Sequence, residues 1–224
     1  MTPLDRMRGG LVVSCQPVDD GPMDRPEIVA AMAQAAVAGG ACALRIEGLD
    51  NLCAVRPVVD VPIIGLIKRD LPGSPVRITP FSSDVAALAA AGADVIAYDA
   101  THRARPEPAA ALLSAIRATG ALAMADCATL AEALAAHAQG AALLGSTLSG
   151  YTAETASTDP DPDLALVRDL ATTGAFVMAE GRYHSPDLVA RARRAGADAV
   201  TVGTALTRLE HMVGWFAAAM QAGG

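Results

Sequence analysis

The sequence contains no long uncharged apolar stretch, no clustered lysine and arginine residues, and no secretion signal pattern. None of its apolar runs reaches the roughly 18 residues that predict a membrane-spanning helix. The net charge of −7, without a basic run, argues against a nucleic-acid partner. The polar opening MTPLDRMRGG leads directly into a strand-like run, which predicts a chain without a leader peptide.

Paired cysteine motifs are also missing. The chain has four cysteines. Cys15, Cys42 and Cys127 lie inside predicted strands, and Cys53 does not. None forms a CxxC pair or shows zinc-like spacing with histidine. We therefore expect free thiols in a reducing cytoplasm and no bound metal.

Aromatic residues make up only 3% of a chain that is 52% hydrophobic, so alanine, valine and leucine must build the core. A helical pattern, then Gly-Ala, then an apolar run recurs down the chain, as in AGADVIAYDA and AGADAVTVGT. Glycine suits the left-handed end of a helix, and strands apolar on both faces are typical of parallel sheets. The pattern therefore predicts an α/β fold.

Eight strands are predicted, with helical patterns between them, at 10–16, 42–48, 63–69, 94–101, 122–127, 142–147, 176–181 and 199–204. This number favours a closed (β/α)8 barrel over an open doubly wound sheet, in one domain spanning 1–224. The connection at 49–62 is weak and predicts only a short helix.

Several of these apolar runs end in ionisable residues, which are costly to bury without a partner. Because parallel strands of a barrel share one carboxyl-end face, the pattern predicts an active site there. Lys68 is a candidate base, Glu180 a candidate acid across the cavity, and Asp126 a candidate partner for the Lys68 ammonium. A structural ion-pair network without proton transfer is the equal alternative. Gln16 and Arg45 end the first two strands and suit a ligand rich in carbonyl or hydroxyl groups.

A phosphate site is predicted after strands seven and eight, where the chain reads AEGRYHSPD and TVGTALTR. Four backbone N–H groups could face an anion there: those of Gly181, Arg182, Gly203 and Thr204. Arg208 could add a full charge, or could be an ordinary surface residue at the start of a helix. Two long loops, at 70–81 and 149–163, are expected on the same face, and the second could instead be a disordered surface loop.

The C-terminal segment TRLEHMVGWFAAAMQ concentrates large apolar side chains in one helical stretch. One face of such a helix can cover the barrel, which leaves a wide apolar surface. We therefore predict a homodimer with this helix in the contact and Trp215 buried there. The alternative is an eighth helix that packs wholly on its own barrel.

Seven stretches in this order resemble the N-acylglucosamine-6-phosphate 2-epimerase family, also called N-acetylmannosamine-6-phosphate 2-epimerases: GGLVVSCQ, IIGLIKRDLPGSPVRITP, AGADVIAYDATHRARP, MADCATLAEAL, STLSGYT, AEGRYHSPD and TVGTALTR. The resemblance covers about residues 9–208. It implies a (β/α)8 barrel of the ribulose-phosphate-binding type. It also implies interconversion of N-acetylmannosamine 6-phosphate and N-acetylglucosamine 6-phosphate, in the catabolism of sialic acid and N-acetylmannosamine, without a cofactor.

The resemblance also implies roles for individual residues. Lys68 and Glu180 stand where the family has its proton-transfer residues, and Asp126 where an aspartate supports the lysine and the substrate. Ligand contacts are implied for Gln16, Arg45 and Arg208. The chain departs from the family pattern at RIEG in the second strand, in the loop after SGYT, and after the final TR. Other phosphate-binding barrel enzymes, such as pentose-phosphate epimerases or sugar-phosphate decarboxylases, and a non-catalytic phosphosugar sensor remain as alternatives.

Overall fold

Eight parallel strands close into a barrel in the computed structural model, which describes residues 1–222. Each strand pairs with the next along the chain, and the last pairs with the first. The strands are β1 (Leu11–Cys15), β2 (Ala43–Glu47), β3 (Ile63–Leu66), β4 (Val95–Asp99), β5 (Leu122–Asp126), β6 (Leu143–Gly145), β7 (Phe176–Glu180) and β8 (Ala199–Val202). All eight predicted strands are present, and the predicted (β/α)8 barrel is confirmed.

Helices connect the strands on the outside of the barrel. They are α1 (Pro3–Met7), α2 (Pro26–Ala38), α3 (Leu49–Val55), α4 (Ser82–Ala90), α5 (Ala109–Thr119), α6 (Leu130–Ala138), α7 (Leu164–Ala171), α8 (Pro186–Arg194), α9 (Thr204–Thr207) and α10 (Leu209–Ala222), with a short 3-10 helix at Arg56–Val58. The seven-residue α3 confirms the short helix expected at 49–62. Within residues 1–222, every helix is too short or too polar to cross a membrane.

Two layers of apolar side chains form the core. Alternate strand residues such as Leu44 and Ile46 face the surrounding helices, whereas Ala43 and Ile64 fill the barrel interior. Met7, at the end of α1, is fully buried with the interior set and closes the amino end of the barrel. Polar side chains are therefore left to the carboxyl end, where the predicted site residues lie.

The third strand is shorter than predicted, because β3 stops at Leu66 and the chain then pairs with its own loop. The Thr79 N–H donates to the Ile67 carbonyl at 2.7 Å, and Lys68 forms an isolated antiparallel bridge with Ile78. Residues 70–81 thus fold back over the barrel mouth as a hairpin-like flap. Lys68 is held by this flap rather than by the barrel ladder.

The end of the chain departs most from a regular barrel. After β8, the place of an eighth outer helix is taken by α9, which has only four residues. The longer α10 contains no buried residue, and it exposes a set of large apolar side chains: Leu209, Val213, Trp215, Phe216 and Met220. This contradicts the alternative in which the C-terminal helix packs wholly on its own barrel.

Candidate active site

A cavity of about 1060 Å³ opens at the carboxyl ends of the strands. Its lining contains eight of the ten predicted site residues: Gln16, Lys68, Glu180, Gly181, Arg182, Gly203, Thr204 and Arg208. The remaining two, Arg45 and Asp126, are fully buried and contact the cavity residues from below. The structure therefore brings all ten into one neighbourhood, as expected for residues at one end of a parallel barrel.

Arg45, on β2, is the buried cation of the site. Its two terminal nitrogens donate to both carboxylate oxygens of Asp126, at 3.3 and 2.7 Å, and its Nε lies 3.2 Å from Oε1 of Glu180. One guanidinium thus neutralises two carboxylates, which buried charges require. Arg45 is almost fully buried and makes these contacts within the protein, and its predicted ligand contact stays a prediction.

Asp126, at the end of β5, accepts hydrogen bonds from Arg45 and from the Thr147 hydroxyl, the latter at 2.7 Å. Among the described residues, its hydrogen bonds do not include the predicted one from Lys68. Asp126 therefore fixes Arg45, which in turn contacts Glu180. This chain of contacts links β2, β5 and β7 beneath the cavity.

Glu180, at the end of β7, is held at its backbone and unpaired at one carboxylate oxygen. The Ser146 hydroxyl donates to the Glu180 carbonyl at 2.9 Å and accepts from its N–H at 3.1 Å. Its Oε2 is buried and lacks a hydrogen-bond partner within residues 1–222. Burial raises the pKa of Glu180 to about 7, against the opposing pull of Arg45. Such a carboxyl can take up or release a proton near neutral pH.

Lys68 is the only lysine in the chain, a signal that composition alone could have supplied. The side-chain Nζ of Lys68 donates to Oε1 of Gln16 at 2.5 Å, and its backbone N–H donates to Oε1 of Glu47 at 3.1 Å. Burial is the main cause that lowers the pKa of Lys68, and the Glu47 carboxylate opposes it. Lys68 and Glu180 line the same cavity, and the Lys68 charge is one of the smaller causes that lower the pKa of Glu180 against the effect of burial.

The predicted phosphate site lies between the ends of β7 and β8. Gly181 has a backbone φ of +105°, a conformation that residues other than glycine rarely adopt, and Arg182 follows with a φ of +62°. These two residues turn the chain sharply directly after Glu180. Gly203 precedes Thr204, the first residue of α9, so its backbone also turns at the cavity. The backbone N–H groups predicted to bind phosphate therefore belong to two tight turns in the cavity wall.

The two arginines of this region have different partners. Nε of Arg208 donates to the Gln16 carbonyl at 3.0 Å, whereas its terminal nitrogens make no hydrogen bond to the described part of the chain. The Arg182 guanidinium instead donates to the carbonyls of Asp161 and Ser149, at 2.8 and 3.0 Å. Arg208 thus retains donors for an anion, and the Arg182 side chain is committed to the loop at 149–163.

That loop, between β6 and α7, forms one wall of the cavity. Besides its two bonds from Arg182, it presents the Tyr151 ring, which lies 5.5 Å from the Arg182 guanidinium carbon. The Ser149 hydroxyl donates to Asp163 at 2.7 Å, at the start of α7. These contacts contradict the alternative in which 149–163 is a disordered surface loop.

Several lining residues were missed by the sequence reasoning. Thr147 follows the short β6 and Thr201 lies within β8, but hydroxyl residues carry too weak a sequence signal to be selected. Asp99 also lines the cavity, as a fully buried carboxylate. Arg103 pairs with it at 2.5 Å and also lines the cavity. In the motif DATHR, Asp99 and Arg103 stand four positions apart, a spacing that could have suggested this ion pair.

A metal-ligand cluster is not part of this arrangement. Within residues 1–222, no group of three or more histidine, cysteine, aspartate or glutamate side chains is placed to hold a metal ion. The four cysteines are all unpaired in the structure.

Comparison with known proteins identifies the family of the chain. Residues 29–222 match a family model described as "Putative N-acetylmannosamine-6-phosphate epimerase". A protein from Actinobacillus pleuropneumoniae serotype 5b is named "Putative N-acetylmannosamine-6-phosphate 2-epimerase". It is 62% identical over 214 residues, which is 96% of this chain and 93% of that protein. A protein of the same name from Proteus mirabilis is 59% identical over 221 residues, covering 99% and 94%.

Solved structures give the same result. The N-acetylmannosamine-6-phosphate 2-epimerase from Clostridium perfringens superposes with a TM-score of 0.93 at 37% identity, over 97% of this chain and 96% of that one. A thiamine phosphate pyrophosphorylase from Pyrococcus furiosus, at 17% identity and a TM-score of 0.64, covers 91% and 89% and shares the fold alone. Since the family model spans most of the barrel and the relatives match nearly end to end, the chain belongs to the N-acetylmannosamine-6-phosphate epimerase family.

Proposed function

We propose that this chain interconverts N-acetylmannosamine 6-phosphate and N-acetylglucosamine 6-phosphate by removing and returning the proton on C2. One observation carries the proposal: a carboxyl with a pKa near 7 and the only lysine, with a lowered pKa, line the same cavity. Perturbed pKa values of this kind mark groups that exchange protons. Family membership supplies the substrate class.

The chemistry follows from the sugar. In its open-chain form, the C2 proton lies beside the C1 aldehyde, so its removal gives an enolate that is stabilised by delocalisation of the charge onto the C1 oxygen. One of Glu180 and Lys68 takes this proton, and the other returns a proton to the opposite face of C2. No electrons are gained or lost overall, because one C–H bond breaks and one forms. The required pair of proton carriers is then restored by exchange with water.

Each supporting residue has a part in this proposal. Gln16 positions the Lys68 amine through the 2.5 Å hydrogen bond. Arg45, fixed by Asp126, keeps one oxygen of Glu180 paired and leaves Oε2 for the substrate. The Arg208 guanidinium and the backbone N–H groups of the two turns bind the phosphate. Phosphate binding remote from C2 orients the reacting carbon between the two proton carriers.

The test is epimerisation of N-acetylmannosamine 6-phosphate in heavy water. We expect N-acetylglucosamine 6-phosphate with deuterium at C2, detected by proton NMR as loss of the C2 signal. Unphosphorylated N-acetylmannosamine is the matched control and is expected to react poorly. Absence of turnover would overturn the assignment, and turnover without deuterium at C2 would overturn the proton-transfer route.

We also propose that the chain forms a homodimer through α10. The support is physical: α10 exposes five large apolar side chains, and Phe216 is 70% exposed. A contiguous apolar surface of this kind is typical of an interface between protein chains. A cytoplasmic location is also proposed, which the four unpaired cysteines support because reducing compartments keep thiols free. The one closed barrel supports a single catalytic domain.

A further inference from the structure

Thr201 occupies an inward-facing position on β8, beside the acid/base pair. Its strand neighbours Val200 and Val202 belong to the apolar layer between barrel and helices, whereas Ala199 belongs to the interior layer. Since side chains alternate along a strand, Thr201 faces the interior with Ala199. Thr201 also lines the cavity, and its hydroxyl oxygen is buried there.

The strand register places Thr201 next to Glu180. The two residues are directly paired across β7 and β8, and Thr201 pairs with Val12 of β1 on its other side. Neighbouring strands lie about 4.8 Å apart, and paired residues of parallel strands point to the same side. The Thr201 hydroxyl is therefore an immediate neighbour of the Glu180 carboxyl.

The Thr201 hydroxyl is buried but has no hydrogen-bond partner in residues 1–222. Other buried threonines of the barrel are paired: the Thr79 hydroxyl donates to the Ala97 carbonyl at 2.7 Å, and the Thr207 hydroxyl to the Ser14 carbonyl at 2.8 Å. A buried hydroxyl without a partner lowers stability, and valine has nearly the same shape without that cost. The hydroxyl therefore requires a reason other than packing.

The neighbouring unpaired atom indicates that reason. Oε2 of Glu180 is likewise buried and unpaired within the described chain, and both residues line the cavity. Two adjacent unpaired polar atoms in residues that line one cavity match a ligand that presents oxygen and a reacting C–H bond side by side. In an open-chain N-acetylated amino sugar, C1 and C3, the two carbons adjacent to C2, each carry an oxygen, and C2 itself carries the amide nitrogen.

We propose that Thr201 is a substrate-contact residue whose hydroxyl hydrogen-bonds a sugar oxygen on a carbon adjacent to C2. This inference rests on the proposed function. The bond holds the sugar chain so that the C2–H bond points at Oε2 of Glu180. It also makes the floor of the site selective for a hydroxylated or carbonyl-bearing chain at that point.

The test compares Thr201→Val, which removes the hydroxyl and keeps the shape, with Thr201→Ser, which keeps the hydroxyl. We expect Thr201→Val to lower kcat/KM for N-acetylmannosamine 6-phosphate by about tenfold to a hundredfold, as expected for a lost hydrogen bond at a desolvated site. Thr201→Ser is expected to recover most of that loss. The melting temperature of Thr201→Val is expected to equal or exceed that of the wild type, because an unpaired buried hydroxyl is removed.

Three results would overturn the inference. The first is a kcat/KM of Thr201→Val within twofold of the wild type. The second is a shift of the acidic limb of its pH profile by more than about half a unit, since the hydroxyl would then act through the Glu180 carboxyl. The third is a fall in melting temperature that Thr201→Ser reverses, since the hydroxyl would then be structural.

The proposed function can fail separately from this inference. A wild-type protein that does not epimerise the sugar phosphate would overturn the function. Calorimetric titration with N-acetylglucosamine 6-phosphate would still compare binding to the wild type and to Thr201→Val. Equal affinities of the two would overturn the contact, and weaker binding to Thr201→Val would support it. If Thr201→Val does not fold, Thr201→Ala serves in both measurements.

Discussion

Nε of Arg45 lies 3.2 Å from Oε1 of Glu180, while Oε2 of the same carboxylate has no hydrogen-bond partner in residues 1–222. This asymmetry separates two tasks within one side chain. The ion pair with Arg45 fixes the position of the carboxyl, and the buried Oε2 is left without a hydrogen-bond partner in a residue that lines the cavity. Burial raises the Glu180 pKa, and the Arg45 charge limits that rise, so the pKa settles at about 7.

Lys68→Arg is expected to lower kcat by about a hundredfold to ten-thousandfold while leaving the fold intact. Arginine retains the positive charge but stays protonated at all working pH values, so it cannot exchange a proton with the substrate. Turnover of Lys68→Arg at near wild-type rates would reduce Lys68 to an electrostatic role. Arg194→Lys, at an exposed position on α8, is the matched control and is expected to match the wild type.

The Lys68 pKa can be measured without interference, because the chain has no other lysine. Protein labelled with carbon-13 at the lysine Cε is expected to give one side-chain resonance. Its titration midpoint is expected below the ordinary lysine value of about 10.4, since burial disfavours the ammonium. A midpoint at or above that value would contradict the lowered pKa.

The pH dependence of kcat/KM is expected to be bell-shaped in both reaction directions. The active enzyme must carry one proton on the Glu180 and Lys68 pair, so that one group accepts and the other donates. Below about pH 7 Glu180 becomes protonated, and above the lowered pKa of Lys68 the amine loses its proton. Activity that stays constant from pH 5 to pH 7 would contradict a role for Glu180 ionisation. Glu180→Gln is the control, with activity lost at every pH.

Arg45→Met is expected to lower the free energy of unfolding by about 3–5 kcal/mol, because it leaves two buried carboxylates without their cation. The Glu180 pKa, already above its unfolded value, is expected to rise further. Folding of the variant then takes up a proton on Glu180. The loss of folding stability is therefore smallest below the pKa of Glu180 in the unfolded chain, and it grows as the pH rises through the pKa in the folded protein. Urea unfolding at pH 5 and pH 8 measures this difference. Arg194→Met, an exposed partner of Asp187, is expected to be neutral by comparison.

Arg208→Ala is expected to raise KM for the sugar phosphate by about tenfold to a hundredfold with a smaller change in kcat. The reason is loss of a charge-assisted contact with phosphate, far from C2. For unphosphorylated N-acetylmannosamine, the same variant is expected to make little further difference. An equal loss with both substrates would show that Arg208 acts through Gln16, to whose carbonyl it donates, rather than through the phosphate.

Phe216→Glu is expected to convert the proposed dimer to a monomer at micromolar concentration, because it places a charge in the apolar surface of α10. Sedimentation velocity measures the mass, and the fluorescence of Trp215, the only tryptophan, reports burial of α10. Leu134→Glu is the matched control, since Leu134 is 48% exposed on α6. A wild-type monomer would contradict the dimer and leave the epimerase proposal intact.

The sequence determined the architecture because its signals are local. Glycine at helix ends and doubly apolar runs define each strand, and eight of them in alternation with helices leave the closed barrel as the favoured arrangement. The same logic placed Lys68 and Glu180 on one face, since parallel strands end together. The spacing of these residues alone did not decide between catalysis and a structural ion-pair network. The resemblance to the epimerase family favoured catalysis.

Only the tertiary structure decided which groups meet. Asp126 bonds to Arg45 and Thr147 instead of Lys68, because β2 and β5 approach across the barrel interior. Such contacts depend on side-chain directions inside a closed sheet and leave no trace in sequence spacing. The unpaired Thr201 hydroxyl is likewise invisible in the sequence, since burial is a property of the packed molecule. The sequence predicted a wide apolar surface on the C-terminal helix, but only the structure decided that α10 buries none of its residues on its own barrel.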